Sequence, residues 1–129
     1  MLYVEIADTP DLWRQGLMFR GHLPKNAGML FKFNNPQILK FWGMNTYIPL
    51  DIAFVNNDNK IIKIDRIKTC FQKMSLSAVS SDDKCIIAIE ANDGFFRNNE
   101  IKVGDMIHVK KDREKTVVEF LNAKILNKK

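Results

Sequence analysis

Trp42, Asn45, Thr46 and Asp51 occupy one short stretch of chain, interleaved with Phe41, Ile48, Leu50, Ile52 and Phe54, which belong in a core. These types can hold a small polar ligand: an aromatic face for a sugar ring, an amide and a hydroxyl as paired donors and acceptors, and a carboxylate. Arg20 supplies a cation that would orient such a ligand. Left unpaired in a core, each polar group costs roughly 1 to 3 kcal/mol, so the cluster must bond within itself or face a ligand. The plainer alternative is structural. Asp51 would accept backbone N–H bonds, Asn45 and Thr46 would close a bulge or turn beside Gly43, and Arg20 would pair with Asp51 to pin a helix to a sheet.

Other chemistry is thinly represented. His22 and His108 are the only histidines, and neither stands in a recognisable spacing with Ser, Cys or paired carboxylates, so a hydrolytic triad has no support. His108 has a parity opposite to Ile107 and Val109 and should face solvent. Asp82-Asp83 reads as a solvated pair, and Asn56-Asn57-Asp58-Asn59 lacks the glycine and distal glutamate of a calcium loop. No metal and no cofactor are expected. Cys70 and Cys85 form no CxxC pair and have no histidine nearby, which favours two reduced thiols over a disulfide.

The elements that must position these residues fit one domain spanning residues 1–129. The chain is 46% hydrophobic and 27% charged, an ordinary globular balance. No apolar run reaches the roughly 20 residues that cross a bilayer, and the opening residues alternate like a strand instead of forming an export signal. The net charge of +5 is concentrated late, at Lys110, Lys111, Arg113, Lys115, Lys124, Lys128 and Lys129. Without interleaved aromatics or a recognition helix this reads as a solvated turn and tail, not a nucleic-acid surface.

Residues 2–7 read as a strand. Asp8-Thr9-Pro10-Asp11 then offers an N-cap, a first-position proline and a first-turn acid for a short helix. Its inner face and exit would carry Leu12, Trp13, Gly16, Leu17 and Phe19 or Arg20, with Gly21 or Leu23-Pro24 ending it. Residues 28–33 form a strand, Asn34-Asn35-Pro36 a turn, and a second strand starts near Ile38. Gly43 marks a bulge or a close backbone approach. Residues 47–67 form a hairpin around Asn56-Asn57-Asp58-Asn59, and residues 68–84 a polar loop. Residues 85–91 are a strand, Asn92-Asp93-Gly94 starts a helical turn through Phe95 and Phe96, and Val103-Gly104-Asp105 turns into a strand at 106–110. Residues 116–126 fit a strand better than a helix. The class expected is α+β, mainly β: a compact antiparallel barrel-like sheet with one or two short helices.

Five blocks carry a resemblance: 4–10, Arg14-Gln15-Gly16-Leu17-Met18-Phe19-Arg20, Gly28-Met29-Leu30-Phe31, the stretch 42–54, and Lys102-Val103-Gly104-Asp105. In order and spacing they resemble the domain-of-unknown-function family number 192, over about residues 3–110, with 111–129 as an extension. The resemblance implies a small, mainly antiparallel barrel-like fold found in bacterial and archaeal proteins that are often exported or lipid-anchored, and it implies no reaction. Where members read Phe-Trp-Met-Lys-Asn-Thr, this chain has Phe41-Trp42-Gly43-Met44-Asn45-Thr46, without the lysine. Members also carry a Pro- and Cys-rich loop after the hairpin, where Cys70 here stands alone.

These readings lead to a non-enzymatic binding or accessory module, with a pocket at Arg20, Trp42, Asn45, Thr46 and Asp51 for a small polar ligand such as a saccharide. Its alternatives are a structural or protein-interaction domain whose polar cluster only fixes the fold, and an enzyme of unrecognised type using Asp51 as acid or base.

Overall fold

The computed structural model describes residues 1–43, 45–68 and 78–122. Strands β1 (Leu2–Ala7), β2 (Ala27–Phe41), β3 (Leu50–Val55), β4 (Ile61–Ile67), β5 (Val79–Asn92), β6 (Met106–Asp112) and β7 (Lys115–Leu121) form one sheet, in the order β4-β3-β5-β2-β1-β7-β6. The sheet is a curled half-barrel. Its two edge strands meet at one end, where Ile61 N–H donates to the Asp105 carbonyl and Ile107 N–H to that of Asn59, at 2.9 and 2.8 Å. Two short helices accompany it, α1 (Pro10–Gln15) and α2 (Phe95–Asn98).

The mainly β, barrel-like expectation holds, with one exception to the antiparallel rule. β1 and β2 run parallel, with Tyr3 opposite Ala27 and Ala7 opposite Phe31. Parallel neighbours need a crossover, and α1 supplies it. Thr9 caps α1 by accepting the Leu12 N–H, and Pro10 opens it. The helix stops earlier than expected, at Gly16, whose φ of 48° lies in the left-handed region. No residue of α1 is fully buried, and Leu12 points outward instead of lining an inner face.

Asn34-Asn35-Pro36 does not separate two strands. Pairing of β2 with β5 slips between Lys32 and Gln37, so this segment is a bulged interruption in one continuous strand. β5 likewise begins at Val79, well inside the expected polar loop; residues 69–77 of that loop, Cys70 among them, lie outside the described residues. The hairpin of β3 and β4, the α2 turn and β6 form where the patterns place them; β7 spans the first part of the expected strand 116–126, whose residues 123–126 lie outside the described residues. β7 pairs with β1, so residues beyond 110 complete the sheet.

Apolar residues are buried on both faces. One cluster gathers Leu2, Leu30, Val55, Ile89, Phe96 and Val118. On the opposite face, Met29, Phe31 and Leu39 of β2 join Leu50, Ile52 and Phe54 of β3 and Ala88 of β5, with Trp13, Phe33 and Phe41 packed against them. Cys85 is a buried free thiol whose pKa burial pushes up to about 11.

Gly43 fulfils the close-approach reading. A Cβ there would run into the Lys68 carbonyl oxygen and sit 3.3 Å from Ile67 Cγ2, so the backbone after Trp42 lies directly on the end of β4. Gly43→Ala should therefore cost about 1–3 kcal/mol of unfolding free energy in a urea titration; an unchanged midpoint would show that the two segments do not touch.

Candidate functional site

Between α1 and the sheet lies a cavity of about 580 Å³. Its wall is aromatic, made by Trp13, Phe31, Phe33, Phe41 and Trp42, with Leu17 and Met18 beside them. Alternation along β2 aims odd-numbered side chains toward α1, which is why Phe31 and Phe33 share this face and Phe41 returns to it beyond the bulge. Trp13 stacks on Phe33 at 4.7 Å, and Phe41 meets Phe31 edge-to-face at 5.0 Å.

The wall is locked by hydrogen bonds. Trp13 Nε1–H is shared by the carbonyls of Ala7 and Lys32, at 3.0 and 3.1 Å, which ties the ring to the end of β1 and the interior of β2 together. Phe19 N–H donates to the Asn45 carbonyl at 2.8 Å, and the Phe19 and Tyr47 rings meet edge-on at 6.0 Å. The loop after α1 is thereby docked on the turn after Trp42, bringing Leu17 and Met18 opposite Trp42 and Thr46.

One residue in this wall was not foreseen. Glu90 lies on β5 between Met29 of β2 and Ile52 of β3 and is only 5% exposed. Among the described residues nothing hydrogen-bonds or ion-pairs with its carboxyl, and burial alone raises its pKa to about 8. Described side-chain oxygens sealed from solvent all have partners, so this partnerless carboxyl opens on the cavity it lines. The available signal was a single acid in the run 85–91, a strand otherwise apolar on both faces.

The expected site residues divide. Trp42, 57% exposed, and buried Thr46 both line the cavity. Asn45 has a φ of 56°, a left-handed turn position that asparagine tolerates, and its carbonyl serves the loop contact. Asp51 faces the other side of the sheet. It accepts the Gly94 N–H at 3.0 Å, with the Phe96 N–H also directed at it, and so anchors the start of α2. Burial outweighs these bonds and raises its pKa, Asp93 adding to the rise, while Arg66 at 3.9 Å opposes it. Arg20 does not reach Asp51: both its terminal nitrogens hold the Glu5 carboxylate, and it lowers that carboxyl's pKa. A second hollow of about 590 Å³ passes Asp51, but Asp51, Arg66 and Asp93 are engaged with neighbours there, Arg66 meeting Asp93 at 2.9 Å. Among the described residues no three His, Cys, Asp or Glu are grouped to hold a metal.

A buried acid with a raised pKa has a definite stability signature. Below about pH 4.5 Glu90 is protonated folded or unfolded. Between there and about pH 8 only the folded form keeps the proton, so its burial removes about 1.4 kcal/mol of stability per pH unit. The isosteric Glu90→Gln should melt like the parent near pH 4 and become progressively more stable than it up to about pH 8. A constant offset across that range would contradict a buried neutral acid.

The fold is similar to that of a protein from Sinorhizobium meliloti 1021 described as a candidate transcription regulator, at 27% identity and a TM-score of 0.74, over 92% of this chain and 81% of that one. It is also similar to a protein of unknown function from Novosphingobium aromaticivorans DSM 12444, at 33% identity and a TM-score of 0.73, over 80% and 71% of the two chains. Comparison with curated proteins gives no significant match. Residues 1–109 match the family model DUF192, described as Uncharacterized ACR, and the chain belongs to that family.

Proposed function

We propose that the protein is a small-ligand binding module and that the cavity between α1 and the sheet is its site. The observation that carries this reading is the pairing of an aromatic-walled cavity with a buried carboxyl that has no partner among the described residues. A core has no use for an acid that bonds to nothing, since an apolar side chain in its place would avoid the desolvation cost. A ligand presenting a complementary polar group would remove that cost, and about 580 Å³ is room for a small molecule.

The wall narrows the ligand class. Trp42 at the mouth offers the ring face a saccharide uses, but the rings of Trp13, Phe31, Phe33 and Phe41 favour a compact apolar body carrying one polar group over a polyol. On this reading Asp51 has a structural part, accepting the Gly94 N–H beside Arg66.

The chain's two tryptophans, Trp13 and Trp42, both line the cavity, so intrinsic fluorescence reports its occupancy. A screen of small amphiphilic compounds should give saturable responses. Trp42→Ala should weaken the hits about tenfold through lost ring contact. Asp51→Ala should leave their affinities alone while costing about 1–3 kcal/mol of stability. Affinities lost equally in both variants, or an absence of saturable hits, would count against this site.

A further inference from the structure

We infer that the cavity takes an organic ammonium cation, with the Glu90 carboxylate as counter-ion and the aromatic rings as its cage; this rests on the cavity being a ligand site. Aromatic residues make most of the wall, and a ring face turned to an occupant carries the negative end of the aromatic quadrupole, the same sign as an ionised Glu90. Among the described residues none supplies a cation to the carboxyl. The neighbouring strands place Met29 and Ile52 beside it, and the turn after Trp42 contributes Thr46 to the wall. Among the described residues, the other charged groups that share the cavity are Arg14 of α1 and Lys40 of β2, both solvent-exposed, and Arg14 is paired with Asp11. A neutral guest would leave the acid as it is, whereas a cation turns it into half of an ion pair.

The step balances simply. The Glu90 carboxylic acid gives its proton to solvent as the ammonium enters, and carboxylate and cation face each other in the cavity. No covalent bond to the guest forms or breaks. Because the empty site holds its proton up to about pH 8, entry of a cation below that pH must be linked to proton release.

Choline and its uncharged isostere 3,3-dimethylbutan-1-ol test this, titrated by tryptophan fluorescence from about pH 6 to about pH 9 at fixed ionic strength. Choline affinity should rise about tenfold per pH unit and level off above about pH 8, while that of the alcohol stays flat. Calorimetry in buffers of different ionisation enthalpy should detect about one proton released per choline bound near pH 6.5. Glu90→Gln should abolish the pH dependence and weaken choline at least about tenfold at high pH, leaving the alcohol unaffected. Alcohol binding as tight as choline at high pH, or a choline pH profile that survives in Glu90→Gln, overturns the cation assignment and leaves the cavity as a ligand site. Silence from both probes overturns the ligand site with it.

Discussion

The central constraint in this molecule is a carboxyl on a strand that cannot move. β5 is paired on both sides, with β2 and with β3, so the backbone of Glu90 is fixed by two ladders at once. With its backbone so held, the side chain cannot exchange faces of the sheet without shifting the register by one residue. The acid is therefore held against an apolar face, where neutrality is the affordable state. An acid in that position destabilises the protein at neutral pH, and the cavity lies in front of it.

The remaining elements frame that cavity. The parallel pairing of β1 and β2 requires a crossover, the crossover carries Trp13, and the Trp13 N–H returns to both strands. The contact of Phe19 with Asn45 and Tyr47 closes another side. Residues from three of the blocks that carry the family resemblance thus meet here: Leu17 and Met18, Phe31, and Trp42 with Thr46. Gly43, in the segment where this chain departs from the usual motif, lets its backbone lie on Lys68 beside Trp42.

Much of the fold was legible because it is local. Alternation gave the hairpin of β3 and β4, Thr9-Pro10 gave the start of α1, and the Gly104 turn gave β6. What was not legible depends on partners distant in the chain. Asn34-Asn35-Pro36 has turn composition, yet β5 pairs on both sides of it and holds it as a bulge. Arg20 was matched with Asp51 by charge alone, whereas the β1 register puts Glu5 nearer. At the site, Trp42 and Thr46 stood out because they form a polar-aromatic cluster in sequence. Glu90 did not, because a single acid in an apolar strand looks incidental until the strand is known to be buried on both faces.

The most direct test is the ionisation of Glu90 itself. Carbon-13 NMR of the glutamate side-chain carboxyls, titrated with pH and assigned by difference with Glu90→Gln, reads it without a ligand. A midpoint near 8 is the result expected of a partnerless acid opening on an apolar cavity. A midpoint near the ordinary glutamate value of about 4.3 would show the carboxyl to be hydrated or paired, and would contradict the site described above.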